Sequence, residues 1–288
     1  MSHPVVSASC PGHISGFFRP VITGEALTSG STGAGIVIDS GVVATVSPAS
    51  DTSVSIWLKQ PGATAPLLQA SSSPILTTLL SDLGVTARVS TLCSLPLSSG
   101  YGLSAAALLA TAHAVNLLFD LGLSDSVCSA RAHRVEVESR TGLGDVAACQ
   151  GGGWVYRGKP GIVSDILRFF DDRTVIALTL GPLKTTTVLS SPAMMRRVAQ
   201  AYPSDIPRDL EEFFALSRTF AESSGLISDE IRKVLIACDA NDIPASMTML
   251  GNGVFALGSA AEPVLSRFGH ALSLHIAPGG PKILENTK

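Results

Sequence analysis

The sequence predicts an α+β fold in two lobes, residues 1–160 and 161–288, and three observations carry that expectation. Residues 4–60 hold the β-type runs VVSAS, GIVIDSGVVATVS and SVSIWLK, each bounded by turn-forming residues. After Pro160 the order becomes strand, three helices, strand, helix, strand. That is not the strict alternation of a parallel α/β sheet. Between the halves lies Gly158-Lys159-Pro160-Gly161, a glycine/proline junction suited to a seam.

Taken in chain order, Ile36–Ser47 reads as a hairpin turning at Asp39-Ser40-Gly41. Residues 49–73, with Pro61 and Pro66 inside and Pro74 following, read as a long irregular insert. TARVSTLCSLP (86–96) reads as a strand ending at a proline. Leu103–Leu121 approaches the roughly 20 apolar residues that a membrane span requires. His113, Asn116 and Asp120, however, share one helical stripe, so an amphipathic core helix explains it better. Ser124 caps a second helix over 125–139. TGLGDVAACQGGG (141–153) is too rich in glycine for a helix interior, and WVYR after it reads as a strand. In the second half, residues 174–180 form a buried strand and helices cover 192–201, 208–223 and 228–240. SMTMLGNGVFALG gives a loop and strand, AAEPVLSRF a helix, and ALSLHIA a last strand.

Composition narrows the function classes. The chain has 288 residues, 20 Lys+Arg against 23 Asp+Glu, and 45% hydrophobic residues. Only 15% are charged, against about 25% in an average soluble chain. Strong disorder is excluded. So is a nucleic-acid binder, whose affinity rests on a concentrated basic surface. Cys10, Cys93, Cys128, Cys149 and Cys238 are odd in number, widely spaced and without a C-x-x-C pair. They are expected as reduced, mostly buried thiols of a cytoplasmic protein. The N-terminal MSHPVVSASCPGHISGFF lacks the charged and apolar regions of a signal peptide, and no membrane partner is expected.

The most informative segment is Pro96-Leu-Ser-Ser-Gly-Tyr-Gly-Leu-Ser-Ala-Ala106, between a strand and a long helix. Gly100 and Gly102 leave backbone N–H groups free to close on an anion, and the helix behind adds the partial charge of its N-terminus. It is neither a Walker loop nor a Rossmann fingerprint, and on spacing alone a plain helix cap stays open. The segment resembles the P-x-x-x-G-L-G-S-S-A-A phosphate motif of the GHMP kinase superfamily at Pro96, Gly100, Gly102, Ser104, Ala105 and Ala106. Tyr101 stands in place of Leu, and Leu103 in place of the first Ser, which removes one phosphate hydroxyl. SCPGHISGFF resembles the superfamily's first motif, with His13 where many relatives carry Lys or Arg. MTMLGNGVFAL resembles its third, reduced here to Gly251-Asn252-Gly253. Within the superfamily, the strings SGSTGAGIVIDSGV, AHRVEVESRTGLGDVAACQGGG and MLGNGVF are similar to those of archaeal-type pantoate kinases.

The resemblance implies a GHMP-type fold whose second lobe is ferredoxin-like, ATP and Mg²⁺ as cofactors, pantoate as acceptor, and a homodimer as a possible assembly. It places ATP on Pro96, Ser98, Ser99, Gly100, Gly102, Leu103, Ser104 and Ala105. Asp145 matches the family's catalytic aspartate, although on its own an Asp in a glycine-rich turn is equally plain turn chemistry. Glu136 shares a helical face with His133 and Arg140, which by itself reads as a solvated charged face. The resemblance makes Glu136 a Mg²⁺ ligand together with Ser104, with Glu138 as the alternative. It makes Ser31, His133, Arg157 and Thr185 substrate-binding residues, and Arg157 suits a carboxylate through its planar fork. A kinase for another small hydroxy acid or alcohol, such as homoserine, and a non-catalytic nucleotide-binding regulator are the competing readings.

Overall fold

Two long strands organise the chain, β1 (Val6–Val21) and β2 (Gly30–Pro48), in a computed structural model that describes residues 4–162, 165–182 and 191–287. They pair antiparallel along nearly their whole length, and their Val, Ile and Ala side chains fill one core. β2 then forks the sheet. Its second half, Val42–Pro48, pairs with β5 (Ala87–Cys93), and β5 carries β3 (Ser53–Leu58) and β4 (Leu67–Ala70). Its first half, Gly33–Ile36, pairs with β6 (Trp154–Arg157), which carries β7 (Ile166–Phe169). β12 (Lys282–Asn286) closes the outer edge of β1. The first sheet therefore takes two strands, β7 and β12, from beyond residue 160.

The fork falls where a hairpin is expected. Asp39-Ser40-Gly41 is no turn: Pro11 faces Gly41 and Gly12 faces Ile38, so Asp39 and Ser40 leave the ladder as a bulge within one continuous strand. Asp39 spends its freed N–H on the His275 carbonyl, tying the bulge to the second half of the chain. The irregular insert expected over 49–73 instead contains the β3–β4 hairpin, and α1 (Pro74–Asp82) follows it directly. Pro74 sits in that helix's first turn, where its missing N–H costs nothing, and Leu76, Leu79 and Leu80 face the core.

α2 (Leu103–Leu118) packs its small side chains against β1 and β2, and Asn116 seals the following turn with bonds to both backbone groups of Leu123. α3 (Asp125–Glu138) starts at the expected cap, Ser124, whose hydroxyl accepts from Val127. The glycine-rich stretch after it is helical for one turn, α4 (Asp145–Cys149), against the expectation.

The second sheet, in the order β11 (Ala271–Leu274), β8 (Val175–Gly181), β10 (Asn252–Leu257), β9 (Ala245–Met247), is antiparallel throughout. With it go α5 (Pro192–Ala201), α6 (Leu210–Ser224), α7 (Asp229–Asp239) and the short α8 (Glu262–Leu265). Helix α6 bridges the two sheets, touching both β1 and β9. Its Phe213 lies 6.4 Å from Phe17 of β1, 6.1 Å from Trp154 of β6 and 6.1 Å from Phe255 of β10. Gly16 makes that docking possible, since a Cβ there would lie 2.1 Å from Ser217 Oγ and 2.6 Å from the Phe213 ring. Burying each such ring stabilises the fold by about 1.5–3 kcal/mol, which fixes the sheets relative to one another.

Candidate active site

Three loops meet at the seam, and each holds a non-glycine residue in the left-handed region: Ser98 (φ 56°), Arg140 (φ 53°) and Leu250 (φ 60°). Such conformations cost energy and cluster at working sites.

The first loop runs from Pro96 into α2. Gly100 (φ 81°) and Gly102 (φ 61°) curl it so that the N-terminus of α2 opens outward, with Ser104 half-buried on its first turn. The flanking side chains serve the fold. Ser99 bonds back to the Leu97 carbonyl, and Leu103 and Ala105 are buried, so only their backbones can reach a ligand. Tyr101 reaches across to Thr179 of β8 at 3.0 Å, and burial pushes its phenol up to about 12. The third loop is a brace. Thr248 Oγ1 donates to the Ser99 carbonyl, and a Cβ on Gly251 would lie 2.3 Å from that same oxygen.

Opposite the cradle lies a buried polar cluster assembled from five elements. Arg157 of β6, only 2% exposed, donates from Nη1 to the Ser31 carbonyl (3.0 Å) and Ser31 Oγ (3.1 Å) on β2. A Cβ on Gly144 would sit 1.7 Å from that Nη1, so this position admits nothing larger than glycine. Glu136, 1% exposed on α3, accepts at Oε1 from the N–H groups of Asp145 and Val146 (3.0 and 3.2 Å). It thereby caps α4 from another helix, which is why a glycine-rich segment is helical here. Its Oε2 meets His133 Nδ1 at 3.2 Å, while His133 Nε2 donates to the Ser29 carbonyl at 3.0 Å. Burial pushes His133 downward, but the bond to Glu136 and its charge outweigh that and hold it above its ordinary value.

Asp145 is where this cluster opens: its side chain is 23% exposed, and Oδ1 lies 2.6 Å from Nδ1 of the wholly buried His13. Burial favours its neutral form, yet the hydrogen bond from His13 and the charge of Arg157 prevail and hold its pKa below the usual carboxylate range.

The structure thus brings Ser31, His133, Glu136, Asp145 and Arg157 together. The solvated-face reading of Glu136 and His133 is wrong, because both are buried, while Arg140 lies past the helix end and Glu138 is exposed. His133 acts here on Glu136 and the Ser29 carbonyl with both ring nitrogens. Thr185 falls outside the described residues. Sequence reasoning missed His13 as a site residue, although its place in the first motif, where the resemblance leads one to expect Lys or Arg, was the available signal.

The fold and the site define a class. Residues 72–153 match the GHMP kinases N terminal domain, the segment that holds the phosphate loop, α2, α3 and Asp145. Over the whole length, the chain is 53% identical to a pantoate kinase of Methanospirillum hungatei across 279 residues, 97% of this chain and 96% of that protein. It is 33% identical to a pantoate kinase of Thermococcus kodakarensis across 270 residues, 88% and 87% of the two chains. A solved structure described as a phosphotransferase related to the CoA biosynthesis pathway superposes with a TM-score of 0.79 at 27% identity, covering 97% of this chain and 98% of its own. The chain belongs to the pantoate kinase family.

Proposed function

We propose that the chain transfers the γ-phosphoryl group of ATP to the terminal hydroxyl of pantoate, giving ADP and 4-phosphopantoate on the way to coenzyme A. One observation carries the reading: the partly exposed carboxylate of Asp145 stands between a helix N-terminus suited to phosphate and a buried Arg157–Ser31 pair suited to a carboxylate. The acceptor side also borders a cavity of about 550 Å³ whose lining mixes Ile22, Val137, Leu143 and Met195 with the charged Glu25, Glu138 and Arg140.

In this reading ATP lays its phosphates on the N–H groups of residues 98–105, and Arg157 with Ser31 receives the pantoate carboxylate. The acceptor hydroxyl gives its proton to Asp145 Oδ2. Its oxygen then bonds to the γ-phosphorus while the bond to the β–γ bridging oxygen breaks and ADP leaves. Thr185 belongs to the proposed acceptor set. Mg²⁺ belongs to the proposal as well, and the donors suit a hard cation: the Ser104 hydroxyl, and Glu136 through Oε2, whose described partner is His133 alone. When bound, the ion would neutralise phosphate charge, and the rest of its shell would come from phosphate oxygens and water. Five free, buried cysteines support a cytoplasmic setting.

A coupled ADP-release assay with pantoate, homoserine, mevalonate and shikimate under ATP and Mg²⁺ tests the reading. Pantoate should give the highest kcat/KM, and equal or better use of another acceptor would overturn it.

A further inference from the structure

His13 is wedged where the two halves of the site meet. Its backbone N–H donates to the Tyr101 carbonyl at 2.9 Å, which ties it to the phosphate loop. A Cβ on Gly102 would lie 3.2 Å from the His13 N, O and Cβ atoms. Across the ring stands Gly35 of β2, where a Cβ would lie 2.2 Å from Nε2 and 2.8 Å from Cε1. Gly35 therefore leaves the room the imidazole fills, Gly102 lets the phosphate loop close on the backbone of the strand that carries it, and the ring is fully buried. One nitrogen, Nδ1, reaches Asp145 at 2.6 Å. The other, Nε2, has no hydrogen-bond partner among the described residues.

We infer that His13 is a positioning residue for phosphoryl transfer: it donates from Nδ1 to Asp145 Oδ1, registers that carboxylate against the phosphate loop, and leaves Oδ2 to take the acceptor's proton. The tautomer follows from the hydrogen-bond network. A carboxylate oxygen only accepts, so Nδ1 carries the hydrogen. An N–H at Nε2 as well would make the ring a buried cation with a donor left unpaired, which costs more than a neutral ring whose bare nitrogen faces Gly35. The inference rests on Asp145 being the base, and the experiment separates the two ideas.

Steady-state kinetics and thermal melting would be measured for His13→Ala, His13→Asn and His13→Gln, each alone and combined with Asp145→Asn. Loss of a hydrogen bond to a charged group should lower kcat of His13→Ala by about 10- to 150-fold, with both KM values within about threefold. Asn places its amide nitrogen near the position of Nδ1 and should recover most of that loss. Gln places it near Nε2, against Gly35, and should not. In the Asp145→Asn background, His13→Ala should cost less than about threefold more, because residues acting through one group are not additive. Equal losses for Asn and Gln, or the same loss in both backgrounds, would reduce His13 to a packing residue. An Asp145→Asn enzyme that keeps more than half its turnover would instead remove the base, and this inference with it. If His13→Ala does not fold, the Asn and Gln pair still decides.

Discussion

The two sides of the proposed site would meet their anions differently. The proposed phosphate side offers backbone: Gly100 and Gly102 curl the loop at the start of α2, and described neighbours such as Tyr101 and Thr248 hold it from behind. The proposed acceptor side offers fixed charge, with Arg157, Glu136 and His133 buried and Asp145 partly open to solvent. A backbone cradle tolerates changes of side chain around it, because dipoles are supplied by the fold. A buried charge cluster does not, because each member is the counterweight of another. The contrast teaches where single substitutions should hurt.

The largest effect should come from Asp145→Asn. It removes the proton acceptor while keeping shape, so kcat should fall about 10²–10⁴-fold with little change in the KM for pantoate. Survival of more than half the turnover would break the contrast at its centre. Arg157→Ala comes next, since it strips the cation from beside two carboxylates. Unfolding free energy should drop by about 3–5 kcal/mol in denaturant titrations. Arg157→Lys should restore much of the stability but keep a raised KM for pantoate, because one ammonium cannot present two parallel donors. A Lys variant with normal KM would mean that Arg157 serves the fold alone. On the phosphate side, Gly100→Ala puts a side chain at φ 81° and 3.0 Å from the Met249 carbonyl. The backbone strain of about 1–2 kcal/mol should raise the KM for ATP about tenfold and leave that for pantoate alone. The smallest change, Tyr101→Phe, deletes one hydrogen bond to Thr179. It should cost about 0.5–1.5 kcal/mol of stability with a few-fold higher KM for ATP. A larger effect on pantoate than on ATP would blur the two sides into one.

The same contrast explains what could be read in the sequence. The phosphate loop is continuous, so its glycines and the helix behind them are visible as a string from Pro96 to Ala106. Most long elements were also visible, because apolar periodicity marks α2 and α6, and Ser124 marks the start of α3. The acceptor cluster is discontinuous: His13, Ser31, Glu136, Asp145 and Arg157 come from separate elements. Helical spacing puts Glu136 and His133 on one face but does not say whether water or protein covers it. Their burial depends on the Asp145 and Val146 N–H groups and on the Ser29 carbonyl, contacts that no local pattern encodes. α4 was missed for the same reason, since its cap is a side chain from α3. The β2 bulge was mistaken for a turn because Asp-Ser-Gly reads identically in both, and the deciding partner is β1.

The pairing of β12 with β1 also governs how the chain is made. Val5 donates to Thr287 Oγ1 across 282 positions, so the Val6–Ser9 edge of the strand that carries His13 stays open until residues 282–286 have left the ribosome. Closing so long a loop is entropically slow rather than prohibitive, because the cost grows only with the logarithm of length. During that wait an apolar strand edge is available to other nascent chains. Synthesis that stops short of residue 282 should leave β1 open to proteolysis and prone to aggregate, although every side chain of the proposed catalytic site would already have been made.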